Sequence, residues 1–224
     1  MPAQPTEAEA LLAQLCQRGD PKNVAGMARF GIAPHHALGI KIPELRALAK
    51  QTGVKHELAL ELWQSGIHEA RILASMIADP QALTEQQIEQ WTRDFDAWDV
   101  CDQVCMNLYR RHRLAYGKAI EWSSAAPEFV KRAGFSLMAT LAVGDKRASD
   151  AQFAPFFECI LAQAGDERNY VKKAVNWALR QMGKRNPALR KQALLVCDQL
   201  LQRPSRPARW IAQDARRELL RRPQ

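Results

Sequence analysis

DERNYVKKAVNWALRQMGKRNPALRKQALLVCDQLLQ, residues 166–202, carries two helical patterns separated by a single break. Val171, Ala174, Val175 and Ala178 recur at helical spacing and form an inward stripe. Asn186-Pro187 then interrupts the pattern, and proline suits the first position of a new helix. A helix from Asp166 to Met182 and a second from Pro187 to Gln202 follow, paired across a tight turn.

The same grammar extends in both directions. Thr6 with Glu9 and Thr84 with Gln87 have the spacing of capping boxes. Asp20 stands where it can cap a helix that begins at Pro21 and ends near Phe30-Gly31. Further helices are expected from Pro43 to Gly53, His56 to Ser65, His68 to Ala78, Ala97 to Arg111, Tyr116 to Trp122, Pro127 to Val143, Asp150 to Ala164 and Pro207 to Arg222. No period-two run argues for a strand. About a dozen short helices in pairs predict an all-α fold, a superhelical α-solenoid with repeats of about 35–45 residues. The repeats share no strict consensus, so a compact non-repeating bundle stands as the alternative. No low-complexity linker divides the chain, and residues 1–224 read as a single domain.

Composition narrows the function. Of 224 residues, 47% are hydrophobic and 25% charged, which suits a folded domain rather than a disordered chain. The net charge of +8 is unevenly spread: residues 1–127 carry 13 Lys+Arg against 15 Asp+Glu, and residues 128–224 carry 19 against 9. A basic half points to a polyanion, although a well-solvated basic surface would read the same way. The five cysteines form no CxxC pair, and neither a secretory leader nor a membrane span is read. A cytoplasmic, nucleoid-associated protein of bacterial type, acting as a monomer, is expected. Neither a cofactor nor a metal is expected: Cys101 and Cys105 share a face with no histidine nearby, and His35-His36 point apart. Walker A, GxGxxG and GxSxG motifs are absent.

Two segments carry candidate chemistry. In Trp98-Asp99-Val100-Cys101-Asp102, Trp98 and Asp102 are four residues apart and share a helical face. An aromatic plate beside a carboxylate suits a cationic sugar or base. The same spacing fits a core tryptophan with a structurally paired acid. In the second segment Lys173, Trp177 and Arg180 fall on one face, so basic groups flank a stacking surface. A surface helix with one partly buried tryptophan fits equally well. Arg132, in Val130-Lys131-Arg132-Ala133-Gly134-Phe135, could bind a phosphate or pair with Asp102. Trp63, Trp91, Trp122 and Trp210 are expected in the core.

Taken in order, these segments resemble the AlkD-type family of DNA alkylation-repair glycosylases, from about Asp20 to Leu200. Met27-Ala28-Arg29-Phe30 followed by Leu38-Gly39-Ile40-Lys41-Ile42-Pro43-Glu44 is similar to the family's N-terminal signature. Trp98 to Asp102 is similar to its WDxxD helix, and Lys172 to Arg180 with Asn186-Pro187 to its second tryptophan helix. The resemblance implies HEAT-like (ARM-like) repeats with a concave basic groove, and hydrolysis of the N-glycosidic bond of 3-methyladenine and 7-methylguanine in double-stranded DNA. It implies Asp102 as the catalytic carboxylate, Trp98 and Trp177 lining the cleft, and Arg132 and Arg180 on phosphates. Phe30, Lys173, Lys41 and Arg46 are further expected DNA contacts. Phe30 stands where the family often has tyrosine, and Lys41-Ile42 replaces a polar Gln-Thr pair. A non-catalytic DNA-binding module and a protein-interaction scaffold are the competing readings.

Overall fold

The computed structural model describes residues 4–32 and 36–221; His35 and Arg222 lie outside the described residues. Among the described residues there are thirteen α-helices, a few short 3-10 turns and no strand. The chain divides into two compact units, Met1–His112 and Arg113–Gln224. The first carries 11 Lys+Arg against 14 Asp+Glu and the second 21 against 10, so the whole basic excess belongs to the second unit.

The first unit contains α1 (Glu7–Gln17), α2 (Pro21–Met27), α3 (Ile42–Thr52), α4 (His56–Gln64), α5 (His68–Ile77), α6 (Glu85–Arg93) and α7 (Trp98–Asn107). Both expected capping boxes form, Thr6 with Glu9 and Thr84 with Gln87, and Asp20 caps α2 with Pro21 in its first turn. Helix α5 packs against α3, α4 and α7, and its apolar face from Ala70 to Ile77 is buried. An aromatic cluster fixes the start of α7. Trp63 and Trp91 stack with ring centres 4.0 Å apart, and Phe95 meets Trp63 edge-on at 6.1 Å. The Trp63 indole N–H donates to Asp94 Oδ2 at 2.9 Å, and Arg71 donates to the Asp94 carbonyl at 3.1 Å. The chain entering α7 is therefore anchored immediately before Trp98.

The second unit contains α8 (Ala115–Ser123), α9 (Glu128–Gly144), α10 (Ala154–Gln163), α11 (Asn169–Arg185), α12 (Pro187–Leu201) and α13 (Arg206–Arg221). Helix α9 is its axis, buried continuously from Lys131 to Ala142. Such all-round burial needs neighbours on every side, and α9 packs on α8 and α11. Gly134 allows α8 to approach, since a Cβ there would lie 2.6 Å from the Ser123 nitrogen. Phe153, Phe156 and Phe157 are almost fully covered, each contributing about 1.5–3 kcal/mol by burial. Helix α11 packs on α9, α12 and α13.

In both units helices pair with their neighbour in sequence and stack on the helix two further along: α4 with α5 and α5 with α7, then α8 with α9, α9 with α11 and α11 with α13. This is the connectivity of an α-solenoid rather than a bundle closed around one axis. Polar bonds between successive layers repeat accordingly. Trp63–Asp94 and His68–Asp99 each span 31 residues, and Arg180–Asp214 spans 34. The repeat is thus at or just below the short end of the expected range.

Several expected helix boundaries move, each for a local reason. The helix expected from Asp166 begins at Asn169, because the Asp166 carboxylate turns back onto the Arg168 N–H at 3.0 Å and its guanidinium at 2.9 Å. Residues Tyr109–Arg111 and Asp150–Phe153 form 3-10 turns instead of continuing α-helices. No helix among the described residues is long and apolar enough to cross a membrane.

Candidate nucleic-acid interface

In the first unit the candidate residues gather at the start of α7. Ala97 precedes it in extended conformation and Trp98 is its first residue. The Trp98 indole N–H donates to the Phe30 carbonyl at 2.9 Å, joining α7 to the 3-10 turn Ala28–Phe30. The Phe30 ring is 70% exposed, while Trp98 and Asp102 are half-buried and one turn apart on α7. An open aromatic face, a fixed indole and a carboxylate therefore come from two segments some 68 residues apart.

Helix α5 supports this arrangement through two adjacent residues. His68 Nε2 lies 2.8 Å from Asp99 Oδ2, and Asp99 Oδ1 is buried without a partner. Burial opposes a charge on His68, but the hydrogen bond and charge of Asp99 outweigh it, with Glu69 and Asp96 adding, and its pKa rises. Glu69 is 1% exposed and accepts from the backbone N–H groups of Leu38 and Gly39, both at 2.7 Å. A buried carboxylate requires such partners. These bonds tie down a strap, residues 38–40, which is held again by Asn23, whose amide donates to the Gly39 carbonyl at 2.9 Å. Gly39 adopts φ +79°, and a Cβ there would meet the Asp20 carbonyl oxygen at 2.4 Å, so only glycine fits. The strap leads into Lys41, which precedes α3, and Arg46 follows on that helix; both are exposed.

In the second unit α11 presents the other candidates. Val171, Ala174, Val175 and Ala178 are buried as their spacing predicts. Lys173 is exposed and Trp177 half-buried. The Gln181 amide oxygen, in the orientation that satisfies its neighbours, accepts from the Trp177 indole at 3.0 Å and from Lys184 at 3.2 Å. Arg180 is held by two acids of the same unit. It lies 3.1 Å from Asp214 and 2.9 Å from Glu218, both on α13. Asp214 also accepts from Asn176 at 2.8 Å. Burial works against the Asp214 carboxylate, yet the bonds from Asn176 and Arg180 and the charges of Arg180 and Arg217 prevail and lower its pKa.

Arg132 is placed differently from a surface phosphate clamp. It is 5% exposed, and its guanidinium donates to the Tyr170 carbonyl at 2.7 Å, joining α9 to α11. Trp63, Trp91 and Trp122 are core residues as expected, but Trp210 is 39% exposed, with the Lys172 ammonium 5.1 Å from its ring. It lies on α13 where the amphipathic stripe turns outward, so the expectation of a core position is corrected. His68, Glu69, Asp214 and Glu218 were not foreseen. Their only sequence signal is acids and a histidine bordering apolar helical stripes. Among the described residues no cluster of three or more His, Cys, Asp or Glu could hold a metal, and the described cysteines are free thiols.

The sequence matches the family model described as "DNA alkylation repair enzyme" over residues 11–219. No curated protein matches it. Among solved structures it is similar to one described as "A new family of proteins related to the HEAT-like repeat DNA glycosylases with affinity for branched DNA structures". The TM-score is 0.79 at 19% identity, covering 96% of each chain. At that identity the likeness speaks for the fold, which is that of the HEAT-like repeat glycosylase relatives.

Proposed function

The chain belongs to the DNA alkylation repair enzyme family, and from that premise we propose that it is a glycosylase releasing cationic alkylated purines, such as 3-methyladenine and 7-methylguanine, from duplex DNA. The C1′–N bond breaks and its electron pair leaves with the purine, whose positive charge is thereby cancelled. The base departs without a general acid, and the sugar becomes an oxocarbenium-like cation. Asp102 stabilises that cation and orients the water that attacks C1′; the water's proton passes to Asp102 or solvent, leaving free base and an abasic site. The Trp98 ring offers its π-face to the same charge.

The observation that carries this reading is the start of α7, where Trp98 and Asp102 share a half-buried face and Trp98 is fixed on the Phe30 carbonyl. Lys173 and Trp177 in the basic second unit, and Lys41 and Arg46 in the first, are the proposed contacts to DNA backbone. Arg132 and Arg180 already engage protein acceptors, so a phosphate contact through either is shared with those partners.

A second reading is binding of branched DNA without base release. It is favoured by the similar fold of a protein described as having such affinity, and by the commitment of Arg132 and Arg180 to protein acceptors. Incubation with duplex DNA carrying 7-methylguanine separates the two. Free base released by the wild type and not by Asp102→Asn supports the glycosylase. Tight binding to a four-way junction with no base released supports the second reading.

A further inference from the structure

Within the second unit, a cleft of about 500 Å³ opens between the C-terminal ends of α9 and α11. Ala142, Val143 and Ala148 form its apolar side, and Lys146, Gln181, Lys184, Arg185 and Asn186 provide the polar one. Its only acid is Asp150, whose Oδ1 is taken by the Asn186 amide at 2.7 Å. The lining is therefore cationic.

Arg185, one of the lining residues, is fixed by its own contacts. Arg185 donates to the carbonyls of Ala142 at 2.9 Å and Ala148 at 2.8 Å, and its guanidinium lies 4.7 Å from the centre of the Phe153 ring. These bonds use only part of a guanidinium's five donors. Asp145 accepts from the backbone N–H groups of Arg147 and Ala148, at 3.1 and 3.2 Å, which shapes the loop carrying Lys146. Lys184 is shared with Glu218 at 2.8 Å. Lys146 is exposed and makes no ion pair with any described residue. A rigid arginine, an unpaired lysine and two amides thus face one recess.

We propose that this cleft is a phosphate subsite that grips the backbone of the DNA strand lying along α11. The proposal rests on the DNA-binding part of the function proposed above. Gln181 connects the cleft to Trp177, because its amide accepts from that indole while also lining the recess. From Trp177 to Gln181 and Lys184 is one to two helical turns, about 6–10 Å at 1.5 Å per residue. The phosphate bound here is therefore a near neighbour, on the same strand, of the one beside Trp177. The contact carries no sequence information; it sets register.

The test is the salt dependence of binding to a 25-base-pair duplex for the wild type, Lys146→Ala, Lys146→Arg and Lys191→Ala, an exposed lysine outside the cleft. Each phosphate contact contributes about 0.9 to the slope of log affinity against log salt. Lys146→Ala is expected to reduce that slope by about 0.9, Lys146→Arg to preserve it and Lys191→Ala to leave it unchanged. A wild type that binds with a steep slope, with Lys146→Ala unaltered, overturns the subsite alone. Equal loss in Lys146→Ala and Lys191→Ala also overturns it, since general surface charge would then explain the slope. A wild type that binds no DNA overturns both this subsite and the function on which it rests.

Discussion

Replacing His68 with alanine tests whether α5 holds the start of α7 through charge. The substitution removes the partner of Asp99 Oδ2 at 2.8 Å, while Oδ1 is already buried without one. Breaking a fully buried ion pair by deleting one member costs about 3–5 kcal/mol, and a hydrogen bond to a charged group contributes about 1.5–3 kcal/mol. The His68 and Asp99 side chains are 6% and 19% exposed, so some water reaches the acid. A loss of about 2–3 kcal/mol at pH 6 follows from those limits. The groups acting on His68 are Asp99, Glu69 and Asp96, with Arg71 at 3.8 Å from Asp96 reducing the effect of the last. Because the folded pKa of His68 is raised, its charge contributes fully below the unfolded value of 6.5 and is lost as pH rises through the folded value. Urea denaturation of His68→Ala, Asp99→Asn and the double variant at pH 6 and pH 9 gives the coupling directly. A coupling near 2 kcal/mol at pH 6 that shrinks at pH 9 is expected. A coupling that is negligible at pH 6, or that grows with pH, would mean that this pair does not hold α7 through charge.

Three further outcomes follow. Gly39→Ala forces a Cβ to 2.4 Å from the Asp20 carbonyl at φ +79°; it should lower the melting temperature and speed amide exchange at Leu38 and residue 39, and an unchanged melting temperature would contradict the strap's role. Asp166, held at a pKa of about 2 chiefly by the Arg168 guanidinium and also by Lys131, stabilises the fold above the unfolded value of 3.8 and loses that contribution as pH falls towards 2. The urea midpoint of the wild type should therefore drop over that interval more than that of Asp166→Asn. Asp214→Asn combined with Glu218→Gln releases Arg180 and Lys184 from their acids; DNA binding should tighten and its salt slope steepen, whereas weaker binding would mean the acids orient α11 for DNA.

Most of the fold was legible because its signals are local. Thr6 with Glu9, Thr84 with Gln87, and Asp20 with Pro21 all act within one turn, and all cap as read. The helix read from Asp166 starts three residues later, because the Asp166 carboxylate binds Arg168 in the turn before it. The face shared by Trp98 and Asp102 was visible because both lie on one helix. The partners His68–Asp99, Asn176–Asp214 and Arg180–Asp214 lie 31–38 residues apart on stacked helices, where periodicity within a helix carries no information. Arg132 was read from its type alone, as a group that could bind a phosphate or pair with Asp102. Its helix α9 is instead enclosed by α8 and α11, and the carbonyl of Tyr170 receives it.

Whether Asp102 stabilises a sugar cation is read from single-turnover release of 7-methylguanine at saturating enzyme. Measurable release by the wild type is expected, with a rate lower on the order of 10²–10³-fold in Asp102→Asn and DNA affinity retained. Release by Asp102→Asn at the wild-type rate would contradict it.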